Sequence, residues 1–174
     1  MKKYYILFVA FLSILCVSWD QERYPTPPAC KGRLFYIQHS NGINTFVYDA
    51  NFISGGRLSE TKPINVSRLN YEDKDGQREE LSNMQRKMAY GVDATKTGDN
   101  KFDFTLAAYP QKKLSLNVKS CGTPSVHINI NGQDMVLHKM FLHCNKLGTN
   151  VSLIDFYGKD PKTGKAVKQQ LALN

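Results

Sequence analysis

The chain has 174 residues, of which 41% are hydrophobic and 22% are charged, and its formal net charge is +8. A chain of this length fits one domain and can bury a core without a metal or a disulfide. The composition excludes collagen-like and coiled-coil proteins, and the scattered basic residues, without a basic arm or zinc-finger spacing, argue against nucleic-acid binding.

The N-terminal segment is typical of an export signal. Lys2 and Lys3 precede an uncharged, mostly apolar stretch at residues 4–15, which has the length of a signal-peptide core and is too short to span a membrane. We predict a signal peptide at residues 1–18, cleaved to release the mature chain to the bacterial periplasm or outside the cell, without a transmembrane span. A lipid anchor on Cys16 and an uncleaved anchor are the alternatives, although Leu15 occupies the place where a lipoprotein site requires a small residue.

The next segment, residues 19–31, is polar and rich in proline, which predicts an extended linker. Residues 32–174 then form a single β-rich domain. The signal segment carries two lysines and no acid, so the mature chain would have a net charge of +6. That charge allows a weak attraction to an anionic envelope component or to another envelope protein.

Short runs of β-branched and aromatic residues, separated by turn residues, predict about nine strands. The Asn41-Gly42 dipeptide predicts a tight hairpin in which Phe35 faces Tyr48. The predicted fold is therefore mainly β, a β-sandwich in preference to a closed barrel. The predicted strands are residues 34–38, 45–52, 64–71, 101–107, 114–119, 125–130, 134–143, 151–157 and 166–171.

One segment departs from the strand pattern and predicts a helix at about residues 78–90. Leu81, Met84 and Met88 recur at helical spacing, as a face packed on the sheet would require. Asp75 is a possible N-cap, two glutamates suit the first turn, and Gly91 suits the end of the helix.

The same helix offers a set of polar side chains beside the sheet. Arg86, Lys87 and Tyr90 could form an anion-binding patch, because a guanidinium group binds carboxylates and phosphates through paired hydrogen bonds. An ordinary solvated helix face is the alternative interpretation.

Four segments carry distinctive aromatic and glycine patterns: LFYIQ at residues 34–38, NTFVYDANF at 44–52, QRKMAYG at 85–91 and FYGKDP at 156–161. Together they resemble a family of exported bacterial proteins known as domain of unknown function 4833. The resemblance implies a stand-alone domain of this size and names no reaction, ligand or catalytic residue. His39 departs from the family pattern, in which an arginine is expected at that position.

A second hairpin is predicted around Asn131-Gly132, with Ile128 opposite Met135 on its core face. The outer face would then carry side chains that could bind zinc or non-haem iron: His127, Asp134 and His138. Alternation alone also explains polar residues on this face, and we predict no cofactor.

Three cysteines follow the signal segment, which in an oxidising compartment suggests one disulfide and one spare thiol. Cys121 and Cys144 lie close to the register of the second hairpin, so they are the disulfide candidate, and Cys30 is the remaining thiol. Three unpaired thiols are the alternative. Cys144 and His143 are strand neighbours that point to opposite faces, which disfavours them as a catalytic pair.

Motifs of known enzyme classes are missing from the sequence. The leading hypothesis is therefore a non-enzymatic binding or structural module of the cell envelope. A hydrolase of unrecognised type, assisted by a metal at His127, Asp134 and His138, is the alternative. A carrier for an apolar ligand is the third hypothesis.

Overall fold

The computed structural model describes residues 24–119 and 122–173, which are mainly β-structure. These described residues form eleven strands, a 3-10 turn at Ser54–Gly56 and one short helical segment, so the predicted mainly β fold is confirmed. The strands are β1 Arg33–His39, β2 Gly42–Ala50, β3 Ile64–Asn70, β4 Gln77–Glu80, β5 Val92–Gly98, β6 Lys101–Leu106, β7 Tyr109–Val118, β8 Pro124–Ile130, β9 Gln133–Cys144, β10 Val151–Lys159 and β11 Ala166–Ala172. The predicted signal segment, residues 1–18, and residues 19–23 of the predicted linker lie outside the described residues.

All eleven strands of the described chain belong to one curled sheet that is organised around β9. Strand β8 pairs with the first half of β9 (Ile128 opposite Met135), and β1 pairs in parallel with its second half (Tyr36 opposite Lys139). Strand β10 lies along the other edge of β9 and carries β11. We call β1–β4 the first wing, β5–β8 the second wing and β9–β11 the spine.

The core lies between the two wings and the spine, and it is built from alternate residues of each strand. Strand β6 shows the pattern clearly, because Phe102, Phe104 and Leu106 are buried while their neighbours are not. Phe35 of the first wing is fully buried, stacks on Tyr48 at 4.3 Å between ring centroids and lies 6.4 Å from Phe104 of the second wing. Aromatic rings therefore join the two wings.

Both predicted hairpins form, with one correction. Asn131 and Gly132 connect β8 to β9 with φ values of 53° and 81°, as a two-residue hairpin of this type requires. In the first hairpin Phe35 does face Tyr48, but β2 already begins at Gly42. The chain therefore turns one residue earlier than predicted, and a register shift between Ile37 and His39 absorbs the difference.

The predicted helix is shorter and begins later than expected. Residues Gln77–Glu80 are not helical but form β4, which pairs with β3. The helix α1 comprises Asn83–Gln85 and continues as a π-helical turn over Arg86–Tyr90. Strand β5, Val92–Gly98, is a second strand that the sequence pattern did not predict.

The N-terminus and exposed face of α1 also differ from the prediction. Ser82, not Asp75, is the N-cap, and its side chain and that of Gln85 form a reciprocal capping box. Leu81 is buried, but Met84 and Met88 are 75% and 72% exposed, so the predicted apolar face does not pack on the sheet. None of the described helices is long and apolar enough to cross a membrane.

The described part of the predicted linker, residues 24–31, lies against the outer face of the sheet. The Gln38 side-chain amide donates to the Pro25 carbonyl at 2.8 Å, and Pro27 is buried. The Tyr24 ring packs edge-on against Phe141 of the spine at 4.9 Å. These contacts explain why Gln38, on the outer face of β1, is almost fully buried.

We expect Gly158→Ala to lower the free energy of unfolding by about 2 kcal/mol, the typical cost of an overpacked site. Gly158 lies in β10 beside a register shift, and a Cβ there would overlap the Val136 carbonyl oxygen. Gly98→Ala is the matched control, because a Cβ at this strand glycine makes only ordinary contacts, the nearest at 3.6 Å. Urea denaturation of both variants tests the expectation, and equal stabilities would contradict it.

Candidate functional site

A cavity of about 240 Å³ lies at one end of the core, between the wings and the spine. We call it the His39 cavity. Its walls are mostly apolar and come from both wings and from the spine, including Ile37, Leu106, Met140, Leu142 and Ile154. Its mouth includes the exposed Met88 of the π-helical turn.

Three hydrogen-bonding side chains form a row with His39 in the middle, and two of them, His39 and Tyr90, line the cavity. The His39 Nε2 atom lies 2.9 Å from the Tyr90 hydroxyl oxygen, and its Nδ1 atom lies 3.4 Å from the Cys144 sulfur. Phe46 holds this row in place, since its ring stacks on Tyr90 at 3.5 Å between centroids and meets the edge of His39 at 5.6 Å.

Burial sets the protonation of the row. It lowers the pKa of His39 to about 4, and it raises the pKa of Cys144 and, more strongly, the pKa of Tyr90. All three groups are therefore neutral at neutral pH. A catalytic cysteine would need the opposite shifts, with a lowered thiol pKa and a histidine that titrates near neutrality.

The π-helical turn places Tyr90 in the cavity wall. The Tyr48 hydroxyl donates to the Tyr90 carbonyl oxygen at 2.9 Å, and the Ala108 amide donates to the Ala89 carbonyl oxygen at 3.1 Å. Gly91 follows directly, and any Cβ at this position would overlap the Arg86 carbonyl oxygen. The predicted glycine at the end of the helix is therefore required by close packing.

The predicted anion-binding set is divided between two environments. Tyr90 faces the cavity, whereas the Arg86 guanidinium group lies on the solvent side and pairs with Glu80 at 3.2 Å. Lys87 is exposed on the same turn. The structure thus places one member of the set in the His39 cavity and two on the surface.

The predicted metal-binding set lies on the second hairpin, but its members do not converge. Asp134 accepts a hydrogen bond from Asn129 at 2.7 Å, and His127 Nε2 lies 3.3 Å from the Ser125 hydroxyl oxygen. His138 sits at the register shift between β9 and β10. Within residues 24–119 and 122–173, no three His, Cys, Asp or Glu side chains form a group that could hold a metal ion.

The two cysteines within the described chain, Cys30 and Cys144, are free thiols. Cys121 lies outside the described residues, so its disulfide with Cys144 stays a prediction. In the structure the neighbour of the Cys144 thiol is His39, about a hundred residues away in sequence, and not the adjacent His143.

The sequence analysis missed His39 as a site residue. The one signal that could have identified it was its departure from the arginine expected at that position in the similar family. A histidine at the end of a core strand is unusual enough to mark a special environment. The pairing with Cys144 depends on the parallel contact of β1 with β9, which no local pattern indicates.

Comparison with known proteins gives one match. A family model described as "Domain of unknown function (DUF4833)" matches residues 35–170. The match covers both wings and nearly all of the spine, and it includes His39, Tyr90 and Cys144. No curated protein and no solved structure matches the chain significantly.

Proposed function

Because the chain belongs to the DUF4833 family, whose description names no activity, we propose a function from the geometry: the domain binds a small, uncharged, mainly apolar ligand in the His39 cavity. The cavity itself carries the proposal, since it offers about 240 Å³ of space with apolar walls. An aliphatic cavity of about 150 Å³ suffices to bind benzene. A single ring or a short alkyl chain therefore suits the space.

The hydrogen-bonding side chains in the cavity wall determine which end group the ligand can have. His39 and Tyr90 are neutral at neutral pH and can exchange hydrogen bonds with a hydroxyl, carbonyl or amide group. Of the described residues that line the cavity, none is Lys, Arg, Asp or Glu. A charged end group would lose its hydration without gaining an opposite charge, so the ligand is uncharged.

In this proposal the domain is a binding module of the cell envelope and not an enzyme. The neutral resting state of His39 and Cys144 supplies neither a thiolate nor a charged imidazole, which supports binding over catalysis. Action outside the cytoplasm follows from the signal-like segment at residues 1–18 and is part of the proposal.

Straight-chain alcohols from butanol to decanol test the proposal, with binding measured by calorimetry. Each added CH₂ is expected to strengthen binding about fourfold, which corresponds to about 0.8 kcal/mol. The gain should stop when the chain fills the His39 cavity. Failure to bind, or a gain that continues unbroken to decanol, would overturn the proposal, because a cavity of this volume limits the length of the bound chain.

Substitution of two exposed methionines of the helical segment tests where the alcohol binds. We expect Met88→Asp, at the cavity mouth, to weaken alcohol binding by roughly tenfold, because the carboxylate must stay hydrated beside an apolar ligand. Met84→Asp is the matched control, since Met84 is equally exposed but does not line the cavity. Both variants should keep their free energy of unfolding within about 0.5 kcal/mol. Equal losses of affinity would place the binding elsewhere.

A further inference from the structure

The outer face of the sheet, opposite the His39 cavity, carries a row of four side chains. One comes from β1 and three from the strands of the spine. In order across β1, β9, β10 and β11 these are Tyr36, Lys139, Tyr157 and Lys168, each directly paired with the next in the register of the sheet. We call them the aromatic–lysine row. Three inter-strand spacings of about 4.8 Å give the row a length of about 14 Å.

Lys139 is the centre of this row. Its ammonium nitrogen lies 5.9 Å from the Tyr36 ring centroid and 5.4 Å from the centroids of both Phe141 and Tyr157. No acidic side chain of the described residues forms an ion pair with Lys139. Burial lowers the pKa of Lys139 and the charge of Asp155 acts to raise it, although Asp155 forms no ion pair with Lys139. The direct neighbours of the ammonium group are therefore the faces of three rings, a weaker interaction than an ion pair with a carboxylate.

The Asp155 carboxylate lies beside the row, in register with Phe141, and is already paired. It is almost fully buried and contacts Lys168 and His143 at 3.2 Å each and Gln170 at 2.7 Å. Burial acts to raise the pKa of Asp155, but these hydrogen bonds outweigh it and hold the pKa at about 2. Lys139 thus has no carboxylate of the described residues within ion-pair distance, and the nearby Asp155 is already paired with Lys168.

The described N-terminal residues, 24–31, leave part of the row uncovered. Residues 24–31 cover the outer face of the first wing, and Tyr24 meets Phe141 at the border of the covered area. Beyond that border, the Lys168 side chain is 48% exposed and His143 is 38% exposed. Tyr36, Lys139 and Tyr157 are partly buried and Lys168 is exposed, so each member of the row keeps some contact with solvent.

We propose that the aromatic–lysine row binds an acidic polysaccharide, an extended chain of sugar rings that carry carboxylates. A sugar ring has an apolar face of C–H groups, which packs on aromatic side chains as other apolar groups do. Its carboxylate supplies the direct ion pair that Lys139 lacks, and Lys168, about 10 Å further along the row, meets the next part of the chain. The net charge of +6 of the predicted mature chain favours the approach of such a polyanion.

The probe for this site is polygalacturonate, with uncharged dextran as the comparison, and binding is measured as retardation in affinity electrophoresis. We expect the protein to bind polygalacturonate but not dextran, and the binding to weaken at high salt. Lys139→Gln and Tyr157→Leu should each reduce the affinity by about tenfold or more, because each removes one kind of contact. Thermal melts confirm that both variants are folded.

Lys113→Gln is the matched control, because it removes one positive charge from β7, outside the row, where Lys113 is 71% exposed. We expect it to change the affinity less than about twofold, as for a screened surface charge. If Lys139→Gln and Lys113→Gln lose equal affinity for polygalacturonate, the binding is general charge attraction, and the proposed site is wrong. Absence of polygalacturonate binding, or equal binding of dextran, would also overturn it. None of these results depends on the alcohols that test the His39 cavity.

Discussion

Truncation of Phe35 to alanine is expected to lower the free energy of unfolding by about 3–5 kcal/mol, the cost measured for large aromatic side chains in closely packed cores. Phe35 is fully buried in the first wing, stacks on Tyr48 and approaches Phe104 of the second wing. Its removal would therefore leave a void at the contact between the wings, and the strands cannot close over it without losing their register.

Phe141→Ala provides the control for Phe35→Ala. Phe141 lies on the outer face of the spine, where it is only partly buried. The same truncation there should cost about 1 kcal/mol, because less apolar surface is re-exposed and no void forms. Urea denaturation of both variants gives the comparison. A similar loss in the two would contradict the packing of the wings around Phe35.

Acidification should destabilise the fold through His39. Burial lowers the pKa of His39 to about 4 in the folded chain, whereas the unfolded chain has the ordinary value of 6.5. Between these two values the unfolded state binds more protons, so stability falls as the pH falls from about 6.5 to about 4. The whole contribution is about 3 kcal/mol, from about 1.4 kcal/mol for each pH unit of difference.

The variant His39→Asn isolates this effect from other titrating groups. His127 and His138 also have lowered pKa values, and they contribute to the acid sensitivity of both proteins. The stability difference between the wild-type chain and His39→Asn should therefore shrink by about 3 kcal/mol from neutral pH to about pH 4. Urea denaturation at a series of pH values measures it. A constant difference would show that His39 is not buried as a neutral imidazole.

Strand pairs that are joined by a short turn could be predicted from the sequence. Asn131-Gly132 joins two strands of alternating polarity, so the turn and the register follow from local chemistry, and Ile128 does face Met135. The same reasoning paired Phe35 with Tyr48. In both hairpins a register shift of one residue would turn the apolar side chains to the solvent, which is why the pattern is informative.

The helical region was predicted less well because its pattern had two interpretations. Leu81, Met84 and Met88 have helical spacing, but only Leu81 is buried. The residues before the helix contain no alternation, and β4 forms through pairing with β3 and through contacts of Glu79 with Arg68 and Lys74. Such contacts arise from tertiary structure, which overrides local propensity.

The candidate site could not be predicted, because its members come from distant parts of the chain. Tyr90 was chosen from the sequence as part of an anion-binding patch, and it lies instead beside His39 in an apolar cavity. His39 meets Cys144 only because β1 aligns with the end of β9. A single sequence contains no signal for that alignment, since both strands carry ordinary apolar patterns.

The parallel pairing of β1 with β9 also has a consequence for the order of folding. About a hundred residues separate the two strands in sequence, so this contact has a high cost in loop-closure entropy and forms slowly. During synthesis the hairpin of β1 and β2 can form early, but the open edge of β1 stays unpaired until β9 is available. An unpaired edge can recruit other chains, and we expect the nascent protein to need protection by a chaperone until its second half has emerged.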